Sequence, residues 1–142
     1  MSEEPVLHSR RALTIRFELP ISKTREFWDS LRNGRFVTTK CSKCGNVCFP
    51  PQSDCPRCMS GESQWVELGR EAVLVTCTHV SIKPPSFAGS DSYIIAVGEF
   101  PGGVKVLAWL EGVKREEARP GMKLRVEARA TEGNPFYVFV GA

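Results

Sequence analysis

Four of the six cysteines in this chain of 142 residues stand in two C-x-x-C pairs, and they have the most chemistry to offer. The pairs are Cys41-Ser42-Lys43-Cys44 and Cys55-Pro56-Arg57-Cys58, with ten residues between them. Zinc takes four tetrahedral ligands, and four thiolates at about 2.3 Å close its shell with no position left open. Each pair delivers two sulfurs around one tight turn. Gly45, directly after the first pair, permits the backbone bend that such a turn needs. Met59 holds the equivalent place after the second pair, where a side chain makes the bend harder. Cys41, Cys44, Cys55 and Cys58 therefore read as the ligands of one structural zinc ion.

Rival chemistries fit less well. An iron site in the style of rubredoxin uses the same four thiolates, so the spacing alone leaves iron open beside zinc. A thioredoxin-like redox motif needs one C-x-x-C near a βαβ pattern, and neither condition holds. A catalytic zinc keeps an open position and usually includes histidine, yet the only histidines are His8 and His79. Cys48 lies off the knuckle spacing and reads as a spare thiol. Cys77 reads as a small hydrophobe in a strand. Cys77 and His79 share a strand face, but no orienting third group, helix N-terminus or glycine-rich oxyanion loop accompanies them. No P-loop, dinucleotide fingerprint or H-E-x-x-H is present. Glu116-Glu117 reads as a solvated pair on a turn. The sequence carries no enzyme constellation.

Composition narrows the class. No stretch approaches the ~18 apolar residues of a membrane span, and the N-terminus has no secretory pattern, so a cytoplasmic protein is expected. In a reducing compartment paired cysteines hold metal more often than disulfides. The net charge is +3, with eight Lys/Arg against five Asp/Glu in residues 1–40, two against two in 41–65, and nine against nine in 66–142. A balanced C-terminal part is poorly suited to gripping a phosphate backbone, where neutralised phosphates supply most of the affinity.

Three segments must position the cysteines. Residues 1–40 form an extended and helical leader: Leu13, Ile15, Phe17 and Leu19 alternate with polar residues up to Pro20, and a helix follows from Lys23 to Asn33, stopped by Gly34. Phe27, Trp28 and Leu31 give that helix an apolar side. Residues 41–65 are the ribbon, too polar and too rich in Gly, Pro and Ser to fold without a metal. Residues 66–142 carry five strand patterns: Ala72–Ile82, Ser92–Phe100, Val104–Glu111, Met122–Thr131 and Phe136–Val140. Pro101-Gly102-Gly103 predicts a hairpin between the second and third. Alternation of Leu124, Val126 and Ala128 with Lys123, Arg125, Glu127 and Arg129 predicts one wet side. Five strands, with one helical turn at Lys114–Ala118 before the fourth, fit a small OB-type barrel. The expected protein is mostly β.

The order of these features is also distinctive. Gly34-Arg35-Phe36 is followed by Cys41-x-x-Cys44-Gly45, Phe49-Pro50-Pro51, Cys55-Pro56-x-Cys58, Trp65, Pro84-Pro85, Tyr93-Ile94-Ile95-Ala96 and Pro120-Gly121. This resembles the acyl-CoA-associated proteins catalogued as domain of unknown function number thirty-five, a rubredoxin-like zinc ribbon joined to an OB-fold. The resemblance runs from about Glu26 to the C-terminus and leaves out the leader before Ser22. Met59 departs from the glycine usual in that family. The resemblance implies a non-catalytic scaffold that binds acyl-CoA and accompanies thiolase-like enzymes, of the acetyl-CoA acetyltransferase or hydroxymethylglutaryl-CoA synthase type. Other such proteins accompany acyl-CoA hydratases in sterol breakdown. It further implies that Lys40, Lys43 and Arg57 meet phosphates of the coenzyme and that Phe49 covers an aromatic ring. The alternative is a nucleic-acid-binding ribbon and barrel, which needs a basic groove lined by exposed aromatics.

Overall fold

The computed structural model describes residues 18–142. The alternating leader lies almost wholly outside them. Leu19, its last apolar residue, is exposed and belongs to no strand.

Helix α1 spans Arg25–Arg32, somewhat shorter than expected, and closes over Asn33 onto Gly34, whose φ of 71° suits a residue without Cβ. Eight residues are too few for a helix to persist alone in water, so packing must hold it. Phe27, Ser30 and Leu31 are buried, and Trp28 packs alongside, so the helix docks on its own chain. The Arg70 guanidinium donates to the Gly34 carbonyl at 2.7 Å and ties the end of the helix to the next domain.

Strands β1 (Val37–Cys41), β2 (Val47–Cys48) and β3 (Ser63–Glu67) form a small antiparallel sheet in the order β2-β1-β3. β1 starts before the first cysteine and carries Cys41 as its last residue. It pairs with β3 over five residues, from Val37 opposite Glu67 to Cys41 opposite Ser63.

Five further strands, β4 (Glu71–Val80), β5 (Tyr93–Glu99), β6 (Lys105–Glu111), β7 (Lys123–Thr131) and β8 (Asn134–Gly141), close into a barrel in the order β4-β5-β6-β8-β7. β5 and β6 form the expected antiparallel hairpin. The barrel closes through a parallel pairing of β6 with β8, Trp109 opposite Val138, and an antiparallel pairing of β4 with β7. A single hydrogen-bonded turn, with the amides of Glu117 and Ala118 donating to the Lys114 carbonyl, fills the β6–β7 connection. The architecture is the OB-fold barrel that the strand count predicted. No helix among the described residues is long and apolar enough to cross a membrane.

Ribbon and barrel share one core. Phe36, just before β1, stacks on Phe100 at 5.6 Å between centroids and lies 5.3 Å from both Phe49 and Tyr137. Phe27 of α1 meets Phe36, Phe49 and Tyr137 edge-on. Inside the barrel Phe139 is fully buried, and its ring lies where a Cβ on Gly98 would sit, 2.6 Å away. Glycine is required there because no other residue leaves the ring room. Gly98→Ala therefore costs about 1–3 kcal/mol by overpacking. Urea unfolding should show a lower midpoint with an unchanged slope.

Candidate metal centre and barrel groove

The two knuckles repeat one backbone design. In the first, the Gly45 amide donates to the Cys41 carbonyl at 3.0 Å and the Cys41 amide to Asn46 at 2.8 Å. In the second, the Met59 amide donates to Cys55 at 2.8 Å and the Cys55 amide to Ser60 at 2.9 Å. Gly45 has φ 72° and Met59 φ 58°, so the non-glycine residue adopts the same left-handed bend. That bend is strained for a residue with a Cβ, and the Met59 side chain is left exposed.

These turns bring together all four expected ligands. The sulfurs of Cys41, Cys44, Cys55 and Cys58 lie within 4.8 Å of one another. Cys41 and Cys58 are 3.6 Å apart, as are Cys44 and Cys55. A tetrahedron with metal–sulfur bonds of about 2.3 Å has edges of about 3.8 Å, so the cluster already has the dimensions of a closed four-thiolate shell. Cys41 and Cys55 are buried and the other two half-buried, which leaves little room for a fifth ligand.

The cluster yields its first protons easily and its last ones hard. At Cys41 the Cys44 amide is the main cause of a lowered pKa, outweighing burial. At Cys55 burial opposes ionisation, but the amides of Cys58 and Arg57 and the neighbouring sulfurs bring the thiol down to about 6. At Cys58 the Ser60 amide favours the thiolate, yet burial and the sulfurs of Cys41, Cys44 and Cys55 push it up to about 12. A cation bound among the sulfurs would favour their thiolate forms.

Cys48 stands apart from this set. Burial raises its pKa, reinforced by the charge of Cys55. Its sulfur accepts from the Asn46 side-chain amide at 3.0 Å, and the same amide lies 4.0 Å from the Cys55 sulfur. Asn46 thus braces both thiols. Sequence reading missed it, because an asparagine after a knuckle glycine has no signature of its own.

The expected coenzyme-binding residues fall in two groups. Lys43 and Arg57 occupy matching places in the two knuckle turns and are exposed, while Lys40 is half-buried on β1. None of the three joins an ion pair among the described residues. Phe49 is half-buried, and its ring packs against Phe27, Phe36 and Tyr137 at the edge of the shared core.

On the barrel, Cys77 and His79 line the same small cleft but form no dyad. The Cys77 thiol points at the Ala118 carbonyl, 3.9 Å away, and both nitrogens of His79 engage serine hydroxyls, Ser81 at 2.9 Å and Ser92 at 3.1 Å. The outward cations of β6 and β7 are largely spent on acids: Lys105 meets Glu99, Arg125 meets Glu127, and Arg129 meets Glu111 and Glu127. Arg129 is the main cause of the lowered pKa of Glu127. Such self-neutralisation does not make a basic stripe for a nucleic-acid strand.

Comparison with known proteins agrees with this geometry. A family model described as the rubredoxin-like zinc ribbon domain of ChsH2 matches residues 28–63, and one described as its C-terminal OB-fold domain matches residues 65–129. The chain is 27% identical over 94 residues to a DUF35 domain-containing scaffold protein of Methanocaldococcus jannaschii, an alignment covering 66% of this chain and 67% of that one. It is 29% identical over 104 residues to a Pyrococcus furiosus protein of the same description, covering 72% and 76%. A probable enoyl-CoA hydratase alpha subunit of Thermomonospora curvata is 26% identical over 103 residues, 72% of this chain but only 32% of that longer one. Among solved structures, a chain of the Ltp2-ChsH2(DUF35) aldolase superposes with a TM-score of 0.72 at 22% identity, over 83% of this chain and 93% of that one. A Sulfolobus solfataricus protein of unknown function from the DUF35 family gives 0.56 at 24%, over 74% and 77%. Identities this low in the solved structures speak for the fold alone.

Replacing Cys55 by serine should lower bound metal from one ion per chain to well below one, since a hydroxyl is a poor substitute for a thiolate. Cys48→Ser should leave the stoichiometry at one. Elemental analysis of the purified variants checks both.

Proposed function

The chain belongs to the DUF35 family, in which a rubredoxin-like zinc ribbon precedes an OB-fold barrel, and from that premise we propose that it is a non-catalytic subunit that binds an acyl-CoA and docks on the enzyme that uses it. The observation that carries this reading is the closed four-thiol cluster of the ribbon, seated on an OB barrel through one shared aromatic core. A four-thiolate site has no position for substrate, so its metal, zinc in this reading, holds the ribbon in shape. Cys41, Cys44, Cys55 and Cys58 are its ligands. The metal's folding energy, about 10–16 kcal/mol in isolated peptides, compensates for a ribbon with little apolar content.

The names of relatives support the same reading. Two are called scaffold proteins, one is called an enoyl-CoA hydratase alpha subunit, and a structural neighbour comes from an aldolase assembly. The scaffold names fit a subunit that serves another enzyme, while the hydratase name is that of an enzyme's own subunit. A thiolase-like or hydroxymethylglutaryl-CoA synthase-like enzyme is the partner proposed here. Lys43 and Arg57, uncommitted and presented by the two knuckle turns, with Lys40 beside them on β1, would pair with phosphates of the coenzyme. The nucleic-acid reading has ribbon and barrel in common with this one, but its outward arginines on β7 are already paired.

Calorimetric titration of the zinc-loaded protein with acetyl-CoA should give saturable heat, and alanine at Lys43 and Arg57 together should weaken it by about tenfold, the loss of one charged contact or more. Saturable heat with single-stranded oligonucleotide alone, falling steeply with salt, would instead favour the nucleic-acid module.

A further inference from the structure

On β7 the outward residues are charged, as a wet barrel face should be. β5 and β6 differ. Their inward residues, among them Ile94, Ala96, Val106 and Leu110, alternate with outward Tyr93, Ile95, Leu107 and Trp109, so both faces are apolar. Strands that read this way are normally covered on both sides. Here the outer side is open, with Leu107 60% and Trp109 38% exposed.

The open side is organised at one end. Tyr93 and Trp109 stack at 4.7 Å between centroids with 19° between planes, and Phe87, from the short 3-10 turn Pro85–Phe87 in the β4–β5 loop, stands 5.9 Å from each. This ring group borders a cleft of 550 Å³. A second cleft of 310 Å³ shares His79, Ile94 and Arg115 with it, so the two form one groove. His79, engaged at both nitrogens by serine hydroxyls, is a fixed wall of this groove. Arg115 joins no ion pair among the described residues. Asp91 supplies an acceptor on the opposite side of the charge balance, while Glu111 is held by Arg129 at 3.7 Å.

We propose that this groove binds the nucleotide end of the coenzyme: an amine-bearing purine on the Tyr93–Trp109 pair, with the phosphorylated ribose at Arg115. The inference rests on the acyl-CoA reading above and moves the ring platform from Phe49, at the edge of the shared core, to the barrel. A stacked aromatic pair offers its π-surface to any planar base. Asp91 accepts from an exocyclic amine, and an uncommitted guanidinium pairs with a phosphate through parallel hydrogen bonds. A long nucleic-acid strand fits worse, since Lys105, Arg125 and Arg129 on β6 and β7 are tied to acids.

The test uses the zinc-loaded full chain with Trp28→Phe and Trp65→Phe, which leaves Trp109 as the sole indole. Adenosine 3′,5′-bisphosphate and acetyl-CoA are titrated in parallel with a single-stranded DNA oligonucleotide. Both small ligands should quench Trp109 saturably. In calorimetry, Arg115→Ala in the otherwise native chain should weaken both by about tenfold or more, and Trp109→Leu by a similar factor. Arg115 is exposed and its alanine variant should fold; retained zinc content checks this. Acetyl-CoA that binds without quenching and responds to Lys43→Ala but not to Arg115→Ala would overturn the groove and leave the acyl-CoA reading standing. Failure of both small ligands to bind overturns the groove together with its premise as applied to the isolated chain. Quenching by the oligonucleotide alone overturns it in favour of nucleic acid.

Discussion

Four thiolates held within 4.8 Å of one another repel strongly unless a cation sits among them. At 3.6 Å two unit charges repel by about 5 kcal/mol even at an effective dielectric constant of about 20. The spread between Cys55, lowered to about 6, and Cys58, pushed up to about 12, expresses that conflict in one site. A dication at the centre resolves it and becomes the fastener of the two knuckle turns. Asn46, bracing Cys48 and Cys55, belongs to the same arrangement: it directs one sulfur inward and satisfies another that is not needed.

What the metal holds in shape, the aromatic core connects to the barrel. Phe36 sits at the junction, one residue before the strand that ends in Cys41, and its ring meets Phe49 from the ribbon, Phe27 from the helix, and Phe100 and Tyr137 from the barrel. The knuckles are thereby seated on a rigid body instead of swinging on a linker. That matters for an accessory subunit, because a surface assembled from ribbon and barrel keeps its shape only if the two share a core. The barrel needs its own compensation: Gly98 vacates the volume that Phe139 fills.

Much of this was legible in the sequence, and the limits have physical causes. The cysteine pairs were readable because metal geometry dictates ligand spacing locally, and the barrel strands because β7 alternates with period two. The β5–β6 hairpin announced itself through Pro101-Gly102-Gly103. Long-range register was hidden. Nothing in the chain says that β6 and β8 run parallel, or that Tyr93 comes to lie on Trp109, because those facts depend on how the barrel closes. Phe49 shows the same limit: nothing in the chain says that Phe27, Phe36 and Tyr137 gather around it. Met59, where a side chain was expected to make the bend harder, adopts the same left-handed bend as Gly45, since the turn needs it whatever residue occupies the place.

The central claim is that one metal ion organises the ribbon and, through Phe36, seats it on the barrel. Amide hydrogen exchange before and after metal removal with a chelator tests it most directly. The account predicts that β1, β2 and both knuckles lose protection on chelation, that the Phe100 end of the barrel loosens with them, and that Cys77 and the rest of central β4 keep theirs. Ribbon amides that stay protected after complete metal removal would contradict it.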